Sequence, residues 1–407
     1  MWNAKCLSFL IIAIAVLSLL PIIVLHYVLI SKSILAHKLE MKNKFPGKQS
    51  PYSLLRRNEH RWKRLEDYYG RFLNLSSFHQ PVSSKSIIYS CHSICFGWGD
   101  RLRGITSVYI LALLTRRRFM IDMDHPCSIS HVLQPNIIDW RFRKLPHFRR
   151  KNRTKLVINT MPLRPKHVRE NMTRMIQSED FLSRWSHYDD IEMTTNGVYI
   201  ADVFRNPHVN ASWLLGSLPS KQATQESLFP LLFELLFTPK PVIYHAVERI
   251  LRRPHQQLTC LHIRLGKNPS NPHDVKFPHR INLTKIMLEF LAKNRFLIKS
   301  NKTLLFVASD SDQAIRQVHR EYPKLSISVP GPILHIDNYD NRNISMRKTL
   351  CDGLVRVVVE FYIFGECQYS VFPRSGFSLW ANRRRLNPGE QLFIYEDKLK
   401  IIKRGRP

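Results

Sequence analysis

Apolar and polar residues follow a regular rhythm in the second half of the chain. Strand-length apolar runs at 258–265 and 303–310 alternate with segments at 283–299 and 311–322, whose apolar residues recur at helical spacing. The alternation continues through a strand pattern at 368–376. Strands that alternate with helices predict a parallel sheet, which binds its ligands at the carboxyl ends of the strands.

The first half begins with the same kind of unit. A short strand at 87–90 is followed by a glycine-rich turn, an apolar helix from Ile105 and a second strand at 117–126. This order is the first unit of a doubly wound α/β domain. Further strands are predicted at 155–159 and 197–202.

A helical pattern between the two halves is interrupted at Pro239 and Pro241, and we place the domain boundary there. The folded body is therefore predicted to consist of an N-terminal α/β domain at 85–245 and a C-terminal α/β domain at 246–407.

The N-terminus carries a long apolar run. Residues 6–30 contain no charged side chain. This segment is long enough to span a bilayer, and no clear cleavage site follows it. We predict a transmembrane signal-anchor at 6–30 and a cytosolic tail at 1–5. The predicted stem at 31–84 is polar and basic, as is typical of a solvated tether.

Composition narrows the class of partner. The 407 residues are 44% hydrophobic and 23% charged, as in globular proteins, and they carry a formal net charge of +31. Such a charge predicts attraction to anions, including nucleotide phosphates, acidic glycans and anionic lipids. The predicted membrane anchor argues against nucleic acid as the partner.

Two patterns give opposite indications about the side of the membrane. Lysines that follow the span favour the cytosol for the C-terminal side. Seven N-x-S/T sequons favour the secretory lumen, and we give them more weight. The predicted N-glycosylation sites are Asn74, Asn152, Asn171, Asn210, Asn282, Asn301 and Asn343. Six cysteines would share this oxidising compartment, so up to three disulfides are predicted, with their pairing open.

Polar residues cluster where three predicted strands of the second half end. The clusters are His262, Arg264 and Gly266; Ser309 and Asp310; and Arg374, Ser375, Gly376 and Phe377. In the first cluster the two charged side chains lie two residues apart and share a strand face, and the glycine lets the chain turn. In the third cluster an arginine, a serine and a glycine precede a helix, which suits an anion.

Three other motifs bear on the chemistry. The glycine loop at 97–104 departs from the dinucleotide fingerprint, although such a turn can approach a phosphate or sugar closely. Asp122 and Asp124 have the spacing of an Mn²⁺-binding pair, which is common by chance, and we assign no metal to them. The segment 373–380 is similar to the phosphate loop of sulfotransferases, but too little chain follows it for that fold.

Four motifs together resemble the GDP-fucose-dependent fucosyltransferases, the superfamily of α-1,2-, α-1,6- and protein O-fucosyltransferases. They are FGWGDRLRGI, HIRLGK, FVASDSD and SVFPRSGFS, in the family's order between Ser86 and Arg385. The resemblance implies a GT-B-like fold, with two Rossmann-like domains facing a cleft, and an inverting reaction without a metal. It also implies that the N-terminal domain at 85–245 lies on the acceptor side and that the C-terminal domain at 246–407 binds the donor. The chain departs from the α-1,2/α-1,6 pattern at Leu265 and Lys267, which leaves the acceptor and linkage open.

The resemblance also implies roles for individual residues. Arg264 would bind the donor β-phosphate and neutralise the leaving GDP, with His262 lining the same crevice. Asp310 would lie beside the guanosine, and Arg101 would approach the donor from the glycine loop. The residues beside the pyrophosphate or base would be Ser375, Gly376 and Phe377. Asp100 is the candidate for the base that deprotonates the acceptor hydroxyl.

These observations predict a Golgi glycosyltransferase, a single-pass type II membrane protein whose luminal body transfers L-fucose from GDP-fucose to a glycan or glycoprotein. The nucleotide-sugar is a substrate, and neither a cofactor nor a metal is expected. Two alternatives stay open. One is a Golgi sulfotransferase, and the other is a luminal glycan-binding protein that has a transferase fold and no turnover.

Overall fold

The computed structural model describes residues 54–142, 153–161, 166–266, 280–299, 302–337, 346–385, 392–396 and 400–404. The predicted signal-anchor at 6–30 lies outside these ranges. Along them, none of the helices combines the length and apolar character needed to cross a bilayer.

The described residues form strands and helices in alternation. The strands are β1 (Ser86–Cys91), β2 (Arg118–Met123), β3 (Leu133–Pro135), β4 (Lys155–Asn159), β5 (Asp190–Thr194), β6 (Phe237–Pro239), β7 (Gln257–Ile263), β8 (Thr303–Ser309), β9 (Ser326–Ile327), β10 (Tyr369–Pro373), β11 (Leu392–Glu396) and β12 (Lys400–Arg404). The helices are α1 (Leu54–Tyr69), α2 (Trp98–Leu114), α3 (Lys166–Ser178), α4 (Phe181–Trp185), α5 (Ile200–Val203), α6 (Ser212–Leu215), α7 (Gln225–Leu236), α8 (Pro241–Leu251), α9 (Leu283–Lys293), α10 (Asp312–Glu321), α11 (Met346–Phe364) and α12 (Gly376–Arg383).

Two largely parallel sheets organise the body, which confirms the predicted α/β class. The first has the strand order β2-β1-β5-β4, and all its described pairs are parallel. The second has the order β12-β11-β10-β7-β8-β9 and is parallel except for β11 with β12. A small antiparallel pair, β3 with β6, completes the set. The predicted division into two domains at residue 245 stays a prediction.

One predicted strand of the first sheet is wrong. The segment 197–202 was expected to be extended, but Ile200–Val203 is helical as α5. The remaining strand of the sheet is instead β5 (Asp190–Thr194), in which Ile191 and Met193 are buried between polar neighbours. Five residues with only two apolar positions give a weak period-two signal, so the sequence pattern did not reveal this strand.

Helix α2 is the central element of the body. It packs against β1, β2, α7 and α12, and its residues from Trp98 to Leu114 are buried almost all round. A helix that is apolar on every face belongs in an interior. At Gly104 a Cβ atom would lie 1.9 Å from the carbonyl oxygen of Thr195, so only glycine permits this approach of helix and chain.

The predicted stem at 31–84 overlaps the folded body, because the chain from Leu54 belongs to the same compact unit as the α/β body. In α1, Leu65 is fully buried and Tyr69 nearly so. Arg61 donates to the carbonyl oxygen of Arg384 at 2.7 Å and lies in ion-pair distance of Glu234 and Glu366. Residues 54–69 are therefore part of the folded protein and not a solvated tether.

All six predicted luminal cysteines form disulfides. The pairs are Cys91–Cys95, Cys127–Cys351 and Cys260–Cys367. Four of the predicted glycosylation sites lie in the described residues, and the side chain of each is exposed. They are Asn74, Asn171, Asn210 and Asn282. The other three, Asn152, Asn301 and Asn343, lie outside the described residues.

Candidate functional site

The carboxyl ends of β7 and β8 are joined by an ion pair between Arg264 and Asp310. Asp310 also accepts hydrogen bonds from the backbone N–H groups of Leu265 at 2.8 Å and Gly266 at 2.7 Å. Gly266 adopts a φ of 71°, the left-handed region that favours glycine, so the chain can turn around the carboxylate. The Arg264 side chain is 20% exposed and the Asp310 side chain 7%. The carboxylate thus holds the guanidinium at the sheet edge.

His262 is a buried, neutral contact between β7 and α12. Its Nδ1 atom lies 3.0 Å from the hydroxyl oxygen of Ser378, and its ring centroid lies 5.2 Å from that of Phe377. Burial holds the pKa of His262 well below its ordinary value, and the charges of Arg264 and Arg280 lower it further, although Asp310 acts in the opposite direction. The histidine therefore contributes packing and a hydrogen bond, not charge.

Ser309 and Ser311 anchor the end of β8. The Ser309 hydroxyl donates to the carbonyl oxygen of Ile263 at 2.7 Å and accepts from the Ser311 backbone N–H at 3.1 Å. The Ser311 hydroxyl in turn accepts from the backbone N–H of Ala314, which caps the start of α10. These contacts fix the backbone on both sides of Asp310.

The third predicted cluster forms the turn from β10 into α12. Arg374 is exposed, and Ser375 is the N-cap residue of α12 without making a side-chain cap hydrogen bond. Around Gly376 the space is open, because a Cβ atom there would have no neighbour within 4 Å. A helix start with open space in front of its N–H groups suits an anion.

The glycine loop of the first half abuts this turn. A Cβ atom at Gly99 would lie 2.4 Å from the carbonyl oxygen of Gly376, so the two segments can meet only through glycine. The next residue, Asp100, forms an ion pair with Arg103. Burial raises the pKa of the Asp100 carboxyl, and Arg103 and a Gly97 backbone hydrogen bond oppose the shift. Asp100 is thus a carboxylate of increased basicity close to the start of α12.

Arg101 is a buried residue that ties the glycine loop to other parts of the chain. Its side chain is fully buried, and the guanidinium donates to the carbonyl oxygens of Phe96 at 2.9 Å and Ile336 at 3.1 Å. It also pairs with Asp337 at 2.9 Å. These contacts hold the glycine loop in place, and the approach of Arg101 to the donor stays a prediction.

Two residues of the site region were missed in the sequence. Asp337 is buried and accepts the backbone N–H of Cys95 at 2.8 Å, which ties the glycine loop to the second half of the chain. Arg280 is buried beside Arg264 and Arg374. Neither stands at a strand end or in a recognisable motif, so only the folded chain reveals them.

The Asp122–Asp124 pair contacts a histidine. His92 Nε2 lies 3.1 Å from Asp122 Oδ2, and its Nδ1 lies 2.7 Å from Asp124 Oδ1. Among the residues that the structure describes, no group of three or more His, Cys, Asp or Glu side chains is arranged to hold a metal ion.

Comparisons with known proteins show which solved structures this chain is similar to. No family model matches the sequence, and no curated protein matches it. A mutant of Arabidopsis thaliana FUT1 solved in complex with GDP is similar in structure, with a TM-score of 0.53 and 15% identity over 86% of this chain and 80% of that chain.

A second similar structure is the NodZ alpha-1,6-fucosyltransferase soaked with GDP-fucose, with a TM-score of 0.49 and 14% identity, covering 79% of this chain and 100% of that chain. NodZ from Bradyrhizobium gives a TM-score of 0.46 and 14% identity, covering 80% and 100%. The similarity to FUT1 shows that this chain shares the α/β fold of a fucosyltransferase.

Proposed function

We propose that this protein is a GDP-fucose-dependent fucosyltransferase. The observation that carries the proposal is the Arg264–Asp310 pair at the carboxyl ends of β7 and β8, together with the open start of α12 that follows the neighbouring strand β10. The FUT1 structure that shares this fold was solved with GDP. An arginine and the N–H groups of a helix start are both suited to a diphosphate, so the site chemistry and the fold support the same donor.

The proposed reaction is an inverting displacement. The acceptor hydroxyl oxygen forms a bond to C1 of fucose, the bond from C1 to the β-phosphate oxygen breaks, and GDP leaves with the electron pair. Arg264 and the first N–H groups of α12 stabilise the charge that develops on the leaving diphosphate. Pre-arranged donors of this kind often supply the largest single part of the rate enhancement.

Asp100 is the proposed acceptor of the hydroxyl proton. It lies one residue after Gly99, which contacts the backbone of Gly376, so it stands near the proposed diphosphate site. Its pKa is raised by burial, which makes the carboxylate a better base than one in water. Arg103 holds the carboxylate in place through their ion pair.

We further propose that the protein is a type II Golgi membrane protein with its body in the lumen. The uncharged segment 6–30 supports an anchor. Three disulfides and four exposed sequon asparagines support an oxidising, glycosylating compartment. Glycosidase treatment is expected to reduce the mass of the purified protein, and an unchanged mass would contradict this location.

The acceptor is proposed to be a glycan or a glycoprotein. Leu265 stands where the α-1,2/α-1,6 pattern has a second arginine, and its backbone N–H binds Asp310. A glycan-binding protein without turnover is the second candidate, because this departure removes one cation from the motif. A sulfotransferase is disfavoured, since the turn into α12 follows β10, which comes after β7, β8 and β9 of the same sheet, and not a first strand.

Release of nucleotide from a panel of donors tests the proposal. The full-length protein in detergent is incubated with GDP-fucose, GDP-mannose, UDP-galactose and a sulfate donor, and the freed nucleotide is measured. We expect GDP release from GDP-fucose above the other donors. GDP binding without any release would favour the glycan-binding candidate, and absence of both would refute the proposal.

A further inference from the structure

Arg280 joins the ends of two neighbouring strands behind the proposed diphosphate site. It lies three residues before α9 and is only 4% exposed. Its Nη1 atom donates to the carbonyl oxygen of Arg264 at 3.4 Å, and its Nη2 atom donates to the carbonyl oxygen of Arg374 at 3.3 Å. One planar guanidinium thus contacts the backbone of both predicted phosphate-binding arginines.

The two carbonyl groups lie beyond the last paired residues of the sheet. The ladder between β10 and β7 ends at the pair of Val371 with Leu261. Past this pair, Arg264 and Arg374 stand on segments that the sheet no longer holds together. The fork of Arg280 bridges this gap, and a planar fork fixes two acceptors at a defined separation better than the flexible ammonium group of lysine does.

The guanidinium is also within electrostatic range of the site. The positive charge of Arg280 contributes to the lowered pKa of His262, together with that of Arg264. Arg280 therefore lies close to the residues that the proposed donor would contact, although its burial leaves it little surface for the donor itself.

We propose that Arg280 is a positioning residue, which sets the separation between Arg264 and the Ser375–Gly376 turn and thereby determines how tightly the site holds a diphosphate. This inference rests on the proposed function. Because the bridge acts on the diphosphate part of the site, its loss is expected to weaken the binding of each ligand in proportion to the number of its phosphate groups. Guanosine, which has none, is expected to bind almost unchanged.

The test compares Arg280→Lys with a matched control in the full-length protein. Arg117 is also buried, and it likewise donates to two backbone carbonyls, those of Asp189 at 3.0 Å and Trp185 at 2.6 Å, but it immediately precedes β2 of the first sheet. Calorimetric titration gives the affinity of each variant for GDP, GMP and guanosine. Arg280→Gln serves as a second variant.

We expect Arg280→Lys to lose about ten- to a hundredfold in GDP affinity, because a displaced Arg264 would lose a hydrogen bond to a charged phosphate, which has an effect of this size. In Arg280→Lys the loss of affinity for GMP should be smaller, and the affinity for guanosine should be unchanged. The control Arg117→Lys should keep its affinity for all three ligands. Unchanged GDP affinity in both Arg280 variants, or equal losses for GDP and guanosine, would overturn the inference alone. Absence of GDP binding in the unmodified protein would overturn the proposed function as well.

Discussion

Replacing Arg264 by alanine tests the proposed mechanism most directly. The change removes the guanidinium that would stabilise the leaving GDP. Loss of one such donor typically costs about 10²–10³ in rate, or about 2.7–4 kcal/mol of transition-state stabilisation. Arg264→Lys keeps the charge but loses the planar fork, so we expect an intermediate rate.

The same substitution has a limited cost in folding. Breaking a fully buried ion pair costs about 3–5 kcal/mol, because the remaining charge has no partner. Asp310 would keep the backbone N–H groups of Leu265 and Gly266, at 2.8 and 2.7 Å, and Arg264 is already 20% exposed. We therefore expect a loss of about 1–3 kcal/mol in the free energy of unfolding, the range for a hydrogen bond to a charged group.

The assay measures GDP release from GDP-fucose and the unfolding temperature of the same samples. Arg153→Ala is the matched control, because Arg153 is also 20% exposed and pairs with Asp190 through hydrogen bonds of 2.7 and 2.8 Å. That pair lies at the start of β5, in the first sheet. The control should lose stability to a similar extent and keep its turnover.

Two results would refute the reasoning about Arg264. Near-normal GDP release by Arg264→Ala would remove the arginine from the mechanism. An equal loss of release in Arg153→Ala would show that reduced stability, and not the missing guanidinium, lowers the rate.

Further predictions concern the N-terminal helix, the buried histidine and the candidate base. A chain that starts at Ser53 and carries a cleavable signal peptide in place of the predicted anchor should be secreted and folded. A chain that starts at Arg71 with the same signal peptide lacks α1 and should lose several kcal/mol, on the order of two buried side chains and an ion pair; secretion yield and melting temperature measure this. The free energy of unfolding should fall as the pH drops from 6.5 towards about 3. In this range His262 is protonated in the unfolded chain, whereas the buried ring of the folded protein stays neutral. The slope from this one group is at most about 1.4 kcal/mol per pH unit, and denaturant titrations of His262→Asn should show a shallower dependence. Asp100→Asn should bind GDP normally in calorimetry but transfer fucose about 10²–10⁴-fold more slowly; unchanged transfer would exclude it as the base.

The local pattern of the sequence was sufficient to predict the class of fold and the strand ends at which the candidate residues lie. The strand that carries His262 and the strands that precede Asp310 and Ser375 were found from short apolar runs, because hydrophobic periodicity depends only on neighbouring residues. Parallel strands present their carboxyl ends at one edge, so residues at those ends were expected to lie together. The structure brings Arg264 and Asp310 into contact, as this rule implies.

What the tertiary structure alone decided depends on contacts between distant parts of the chain. The Cys127–Cys351 and Cys260–Cys367 disulfides, the burial of Arg101 against Asp337 and the packing of α1 onto the body join residues far apart in sequence. Arg280 reaches Arg264 and Arg374 only because the strands that carry them are neighbours in the sheet. Such neighbours follow from the order of strands, which no local pattern encodes, so these features became visible only in the folded chain.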